Sequence, residues 1–105
     1  MFEAASLTML GLFAPARDIY ERCIRQAEHD GDRASLVYAL NGLSKTQRLS
    51  GDLDGALMST KKAIRFAPNN LETHRAHRAV LIAMAKGGAT ELYDVADRIT
   101  GTSDG

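Results

Sequence analysis

Helix-breaking residues recur along this chain at regular distances, and that spacing restricts its fold more than any other feature. Breaks fall at Gly11 to Pro15, His29 to Asp32, Ser50 to Asp52, Pro68 to Asn70, and Gly87 to Gly88. Between them stand runs of helix formers with no alternating β pattern, which predicts six short helices joined by tight turns. Pro15 suits the first turn of a helix, where its missing N–H is not needed. Asp32, Asp52 and Asn70 stand where N-caps are expected. Pro68 cannot continue a helix ending at Phe66 or Ala67. Gly51 and Gly87 can take the left-handed conformation that closes a helix. The tail from Gly101 to Gly105 has nothing to bury and is expected to be disordered.

At 105 residues with 45% hydrophobic content, the chain is expected to form one domain with a modest core. Thirteen basic and thirteen acidic residues cancel, so net charge supplies no long-range attraction to nucleic acid or to an anionic membrane. A single cysteine, Cys23, excludes an intramolecular disulfide and points to a reducing cytoplasm. Met1 to Ala14 is apolar but carries Glu3 and no Lys or Arg ahead of the apolar run, which argues against a signal peptide. Roughly 12 apolar residues fall short of the ~20 needed to cross a bilayer as a helix. No membrane partner is expected.

The breaks pair the helices into three antiparallel hairpins, at about 1–30, 32–67 and 70–100, a period that calls for a test for repeats. In the central hairpin Leu40, Leu43 and Ser44 share one face of the first helix, followed by Gly51 at the turn, then Ala56, Ala63 and Pro68. Small residues at Ser44, Ala56 and Ala63 make room for Leu40, Leu43 and Leu57, so that two helices can approach closely. This order of residues resembles the tetratricopeptide repeat over residues 36–70. Gly11, Ala16, Tyr20 and Cys23 repeat the offsets of Gly51, Ala56, Thr60 and Ala63. In the third hairpin Gly87, Leu92, Ala96 and Ile99 fall on the same offsets, with Leu92 where the family has a small residue, and Ala76, Ala79, Val80 and Ala83 supply the inner face of the preceding helix. The turn glycines at 11, 51 and 87 are 40 and 36 residues apart, which resembles the longer repeat of bacterial regulatory proteins.

The resemblance implies an all-α fold, an α-solenoid of about three hairpins in a right-handed superhelix, spanning residues 1–100. It implies a concave face lined by the first helix of each hairpin, and a function as a protein-interaction adaptor or scaffold. On the central unit that face carries Tyr38, Asn41, Lys45 and Arg48, with Arg75 and Arg78 added from the third. An Asn and a Lys at this spacing can hydrogen-bond an extended peptide and attract its carboxylate, while the alternative is the solvated side of amphipathic helices. The five-residue carboxylate clamp of chaperone-binding members is incomplete, because Met1 and Ala5 stand where it needs Lys and Asn.

Phe2, Leu7, Met9, Leu10, Leu12 and Phe13 fill nearly every side of the first helix, and a helix apolar all round is expected to be covered all round. Terminal repeats ordinarily have a polar outer face. The cover is a second copy, preceding helices of a longer chain, a docked partner, or the chain's own hairpins. The commonest closed arrangement, an isologous homodimer, is the expectation taken here. The longer-chain alternative makes this a regulatory or sensory segment of a signalling or transcriptional protein.

Lys61, Lys62, Arg65, Arg75 and Arg78 with His74 and His77 form a basic stretch, but with Phe66 as its one aromatic it reads as a solvated surface rather than a nucleic-acid contact. His74 and His77 have only Glu72 nearby to complete a metal site, so no metal is expected. Cys23 has no His at a motif spacing, and no phosphate loop, Ser-His-Asp set or carboxylate pair is recognisable. The chain is therefore expected to have no enzyme activity and no cofactor.

Overall fold

The computed structural model describes the backbone of residues 2–104 and, within it, the side chains of residues 3–87. Among these residues the fold is all-helical, with five helices: α1 (Phe2–Met9), α2 (Phe13–Asp30), α3 (Arg33–Ser50), α4 (Leu53–Phe66) and α5 (Leu71–Asp104). No helix there is long and apolar enough to cross a membrane.

Three of the turns are one backbone motif used three times. Gly11, Gly31 and Gly51 have φ of 78°, 67° and 93°, the left-handed region that a side chain disfavours. At the second and third turns, the N–H after the glycine closes the finished helix, from Asp32 to the Ala27 carbonyl at 2.9 Å and from Asp52 to Gln47 at 2.8 Å. The same two aspartates then cap the next helix: the Ser35 N–H donates to Asp32 Oδ1 at 3.1 Å and the Gly55 N–H to Asp52 Oδ1 at 3.0 Å. One residue thus satisfies orphaned groups on both sides of the turn. At the first turn the Leu12 N–H bonds the Leu7 carbonyl, but Leu12 has no side-chain cap to offer, and Pro15 occupies the first turn of α2 instead. Asn70 caps α5, accepting from the Thr73 N–H at 3.0 Å.

Two expectations need correction. The turn expected at Gly87 and Gly88 is absent: α5 runs through both to Asp104, so the separate sixth helix is not formed and residues 101–104 are helical rather than irregular. Gly88 is followed by Ala89 and not by an Asp or Asn cap, which makes a new helix start less favourable there than at Gly31 or Gly51. The first helix is also shorter than the apolar run. It ends at Met9, Leu10 to Leu12 form the turn, and Phe13 already belongs to α2.

Each helix packs on the next across its turn. In addition α3 touches both α1 and α5, whereas α2 and α4 bring no α-carbons within 8 Å of each other. Odd-numbered helices therefore form one row and even-numbered helices a wider one. The core lies mainly between α2, α3 and α4, where Tyr20, Ile24, Ala27, Leu36, Ala39, Leu40, Leu43 and Ala63 cluster. Ala16, Ala56 and Ala63 are fully buried, as close helix approach requires. Cys23, in the seat equivalent to Ala63, is only half-buried, because α1 is too short to cover α2 as α3 covers α4.

Candidate functional site

The odd-numbered row leaves a groove of about 260 Å³ between α3 and α5. Its α3 wall carries Asn41, Ser44, Lys45 and Arg48, and its α5 wall Glu72, Arg75, Ala76 and Ala79. The spacing on each wall is that of a single helix face, i, i+3, i+4 and i+7, and the two faces meet because α5 packs directly on α3. Small Ala76 and Ala79 keep the α5 wall low. Four of the six residues expected on the partner-binding face, Asn41, Lys45, Arg48 and Arg75, are brought together here. Tyr38 lies outside the groove and is half-exposed. Arg78 is exposed and also lies outside it.

Lys45 is exposed at the rim and Arg48 partly buried beside it. Arg75 pairs with Glu72 across one turn of α5, Nη1 to Oε1 at 3.0 Å, with both side chains largely in solvent. Three cations against one carboxylate leave the groove with a net charge of +2. At its floor the Asn41 Nδ2–H donates to Thr73 Oγ1 at 3.1 Å, which ties α3 to α5, while Asn41 Oδ1 is buried with no protein partner. An unsatisfied buried acceptor of this kind costs roughly 1–3 kcal/mol unless something donates to it.

The other seams are stitched by hydroxyls that sequence reasoning passed over. Thr8 of α1 and Thr46 of α3 meet Oγ1 to Oγ1 at 2.8 Å, and the Ser59 hydroxyl of α4 donates to Gln47 Oε1 of α3 at 2.7 Å. Thr60 Oγ1 and His77 Nδ1 join α4 to α5 at 3.0 Å. Thr46, Thr60 and Thr73 are fully buried, each one a position where the sequence offers a polar residue on an otherwise apolar stripe. Such buried polar groups are tolerated because each finds a partner.

His77 is therefore a structural histidine. His74 turns the other way, its Nε2 against the Pro68 carbonyl. No group of three or more potential metal ligands occurs among the described residues. The basic stretch is also divided. Lys62 reaches Glu28 of α2 at 3.5 Å, Lys61 and Arg65 flank the outer side of α4, and Arg75 faces the groove.

Of the apolar residues at the first helix, Met9 and Leu10 are 74% exposed and Leu12 50%. Leu7 and Phe13 are half-buried, and the Phe2 side chain lies outside the described residues. What α1 turns inward is small, with Ala4 fully buried and Thr8 at 5% exposure. Met9, Leu10 and Leu12 are therefore left on the surface at the first turn.

No family model, curated protein or solved structure matches the chain. The tetratricopeptide resemblance accordingly rests on the sequence residues that carry it.

Proposed function

We propose that this chain is a protein-interaction module, a short solenoid of tetratricopeptide-like hairpins whose α3/α5 groove takes an extended acidic peptide or a chain terminus. The observation that carries this reading is the convergence of Asn41, Lys45, Arg48 and Arg75 on one groove with a single opposing carboxylate. Lys45 and Arg48 supply charge-assisted donors for a carboxylate, and Asn41 Oδ1 is an acceptor that a peptide N–H can satisfy. The low α5 wall admits a backbone rather than a bulky ring. Exposed Met9, Leu10 and Leu12 support a second contact, an isologous pairing of two copies through the first turn.

The test is selection of a randomised peptide library with free C-termini on the immobilised protein, followed by anisotropy titration of the enriched peptides. Acidic sequences are expected, and Lys45→Ala or Arg48→Ala is expected to weaken them about tenfold each, equivalent to ~1.4 kcal/mol. Amidating the peptide's terminus separates recognition of a terminal carboxylate from recognition of acidic side chains. Enrichment of peptides indifferent to both substitutions would remove the groove from the account.

A further inference from the structure

A second trough, of about 530 Å³, runs between α4 and α5 on the flank of α5 away from the peptide groove, and Met58, Lys61, Ile64, Arg65 and His77 line it. Its floor is apolar and its rim is basic. Met58 is 73% exposed over it, and Leu81, one turn beyond His77 on α5, is 47% exposed. The trough stands where the next even-numbered helix would fall. Over α3, side chains of α2 and α4 line the two sides of one pocket across Leu40 and Leu43; over α5, α4 has no such facing helix among the described residues.

The sequence holds a helix suited to that seat. Leu92, Val95, Ala96 and Ile99 fall on one stripe of a helix, i, i+3, i+4 and i+7. Glu91, Asp94, Asp97 and Asp104 against Arg98 give residues 88–105 a net charge of −3; the chain is neutral overall, so the remainder carries +3. Apolar stripe meets apolar floor and acid meets base. Yet α5 is continuous, so this segment prolongs the helix that walls the trough instead of turning back to pack against it. Gly87 adds a second point. It lies mid-helix without a positive φ, and a Cβ there would meet nothing within 4 Å, so neither backbone nor packing asks for glycine. Two adjacent glycines cost a lone helix roughly 1 kcal/mol each relative to alanine, and a helix arm without tertiary packing is marginal in water.

We infer that residues 89–104 of α5 seat in the α4/α5 trough of a second copy, two chains exchanging their acidic arms around a two-fold axis. This contact is separate from both the peptide groove and the first-turn face. Reciprocal exchange through a continuous hinge helix is a low-cost route to a dimer.

The test uses the full chain carrying Leu10→Glu, which blocks the first-turn face, and reads mass by light scattering. That chain is expected at twice its 11.4 kDa. Reversing the trough with Lys61→Glu and Arg65→Glu, or the arm with Glu91→Lys and Asp94→Lys, is expected to give monomers in either case. Mixing the two reversed chains restores complementarity only between different molecules, and a dimer is expected to reappear. A Leu10→Glu chain that is monomeric throughout overturns the exchange. So does a mixture that stays monomeric. If either reversal also lowers the melting temperature of that monomer, the trough belongs to the chain's own arm, turned back at Gly87 and Gly88.

Discussion

Gly42 sits in the middle of α3, where helix propensity argues most strongly against glycine, and Tyr20 of α2 explains it. A Cβ on Gly42 would fall on the Tyr20 ring, which is 4% exposed and cannot swing clear. Gly42→Ala is therefore expected to destabilise the fold by about 1–3 kcal/mol through overpacking, despite alanine's better propensity. In a Tyr20→Leu background the same change is expected to become stabilising, because only the propensity remains. Urea denaturation of the four chains measures both signs. Tyr20 also sets a pH limit. Burial first, and then the neighbouring Tyr38 and Cys23, raise its hydroxyl above the ordinary 10.0. A raised folded-state value means the stabilisation is complete below about pH 10 and is lost as pH climbs through the folded value. Stability measured against pH is expected to fall more steeply above that point in the native chain than in Tyr20→Phe. At the α3/α4 turn, Asp52→Ala removes the cap on the Gly55 N–H and is expected to cost about 1 kcal/mol.

Helix boundaries were legible wherever a residue both stops one helix and starts the next. Gly31–Asp32 and Gly51–Asp52 combine a left-handed closer with a cap, and Pro68 with Asn70 does the same by other means. Gly87–Gly88 has the closer without the cap, and that difference was on the page of the sequence; reading glycine alone as a turn lost it. The site was legible in part. The i, i+3, i+4, i+7 spacing put Asn41, Lys45 and Arg48 on one face of α3, but their partner Arg75 depended on α5 packing against α3, which no local pattern encodes. Tyr38 missed the groove for the same reason, since the α5 wall begins at Glu72. The hydroxyl seams were invisible because a buried threonine and an exposed one look alike until the opposite helix is known. Continuity of α5 yields its own prediction. Gly87→Ala adds a Cβ that meets nothing in a straight helix, so it is expected to raise the melting temperature, worth up to ~1 kcal/mol. A lowered melting temperature would instead mean that Gly87 adopts a turn.

At the scale of the whole molecule, the packing order decides what is left over. The odd-numbered row closes on itself through Thr8–Thr46 and Asn41–Thr73, so its contacts are satisfied apart from the polar groove. Among the described residues, apolar surfaces stand open at opposite ends of the helix order: Met9, Leu10 and Leu12 at the first turn, and the basic-rimmed trough of α4 and α5. A chain with one self-complementary face closes as a dimer. A chain with two distinct isologous faces goes past the dimer, closing as a dihedral assembly where the two axes intersect suitably and growing on where they do not, because each dimer still presents the other face unfilled. The native chain is accordingly expected to grow past the dimer as concentration rises, with light scattering giving a mass that does not plateau at twice 11.4 kDa. Leu10→Glu removes one face and Lys61→Glu with Arg65→Glu the other; each alone is expected to stop assembly at the dimer, and all three together to give the monomer. Salt separates the two, since a contact between acid arm and basic rim weakens as ionic strength rises while the Met9, Leu10 and Leu12 contact does not. In high salt the native chain is thus expected to fall back to the dimer held by the first turn. A mass that already plateaus at the dimer in low salt would leave room for only one of the two faces, and the variant that abolishes it would say which.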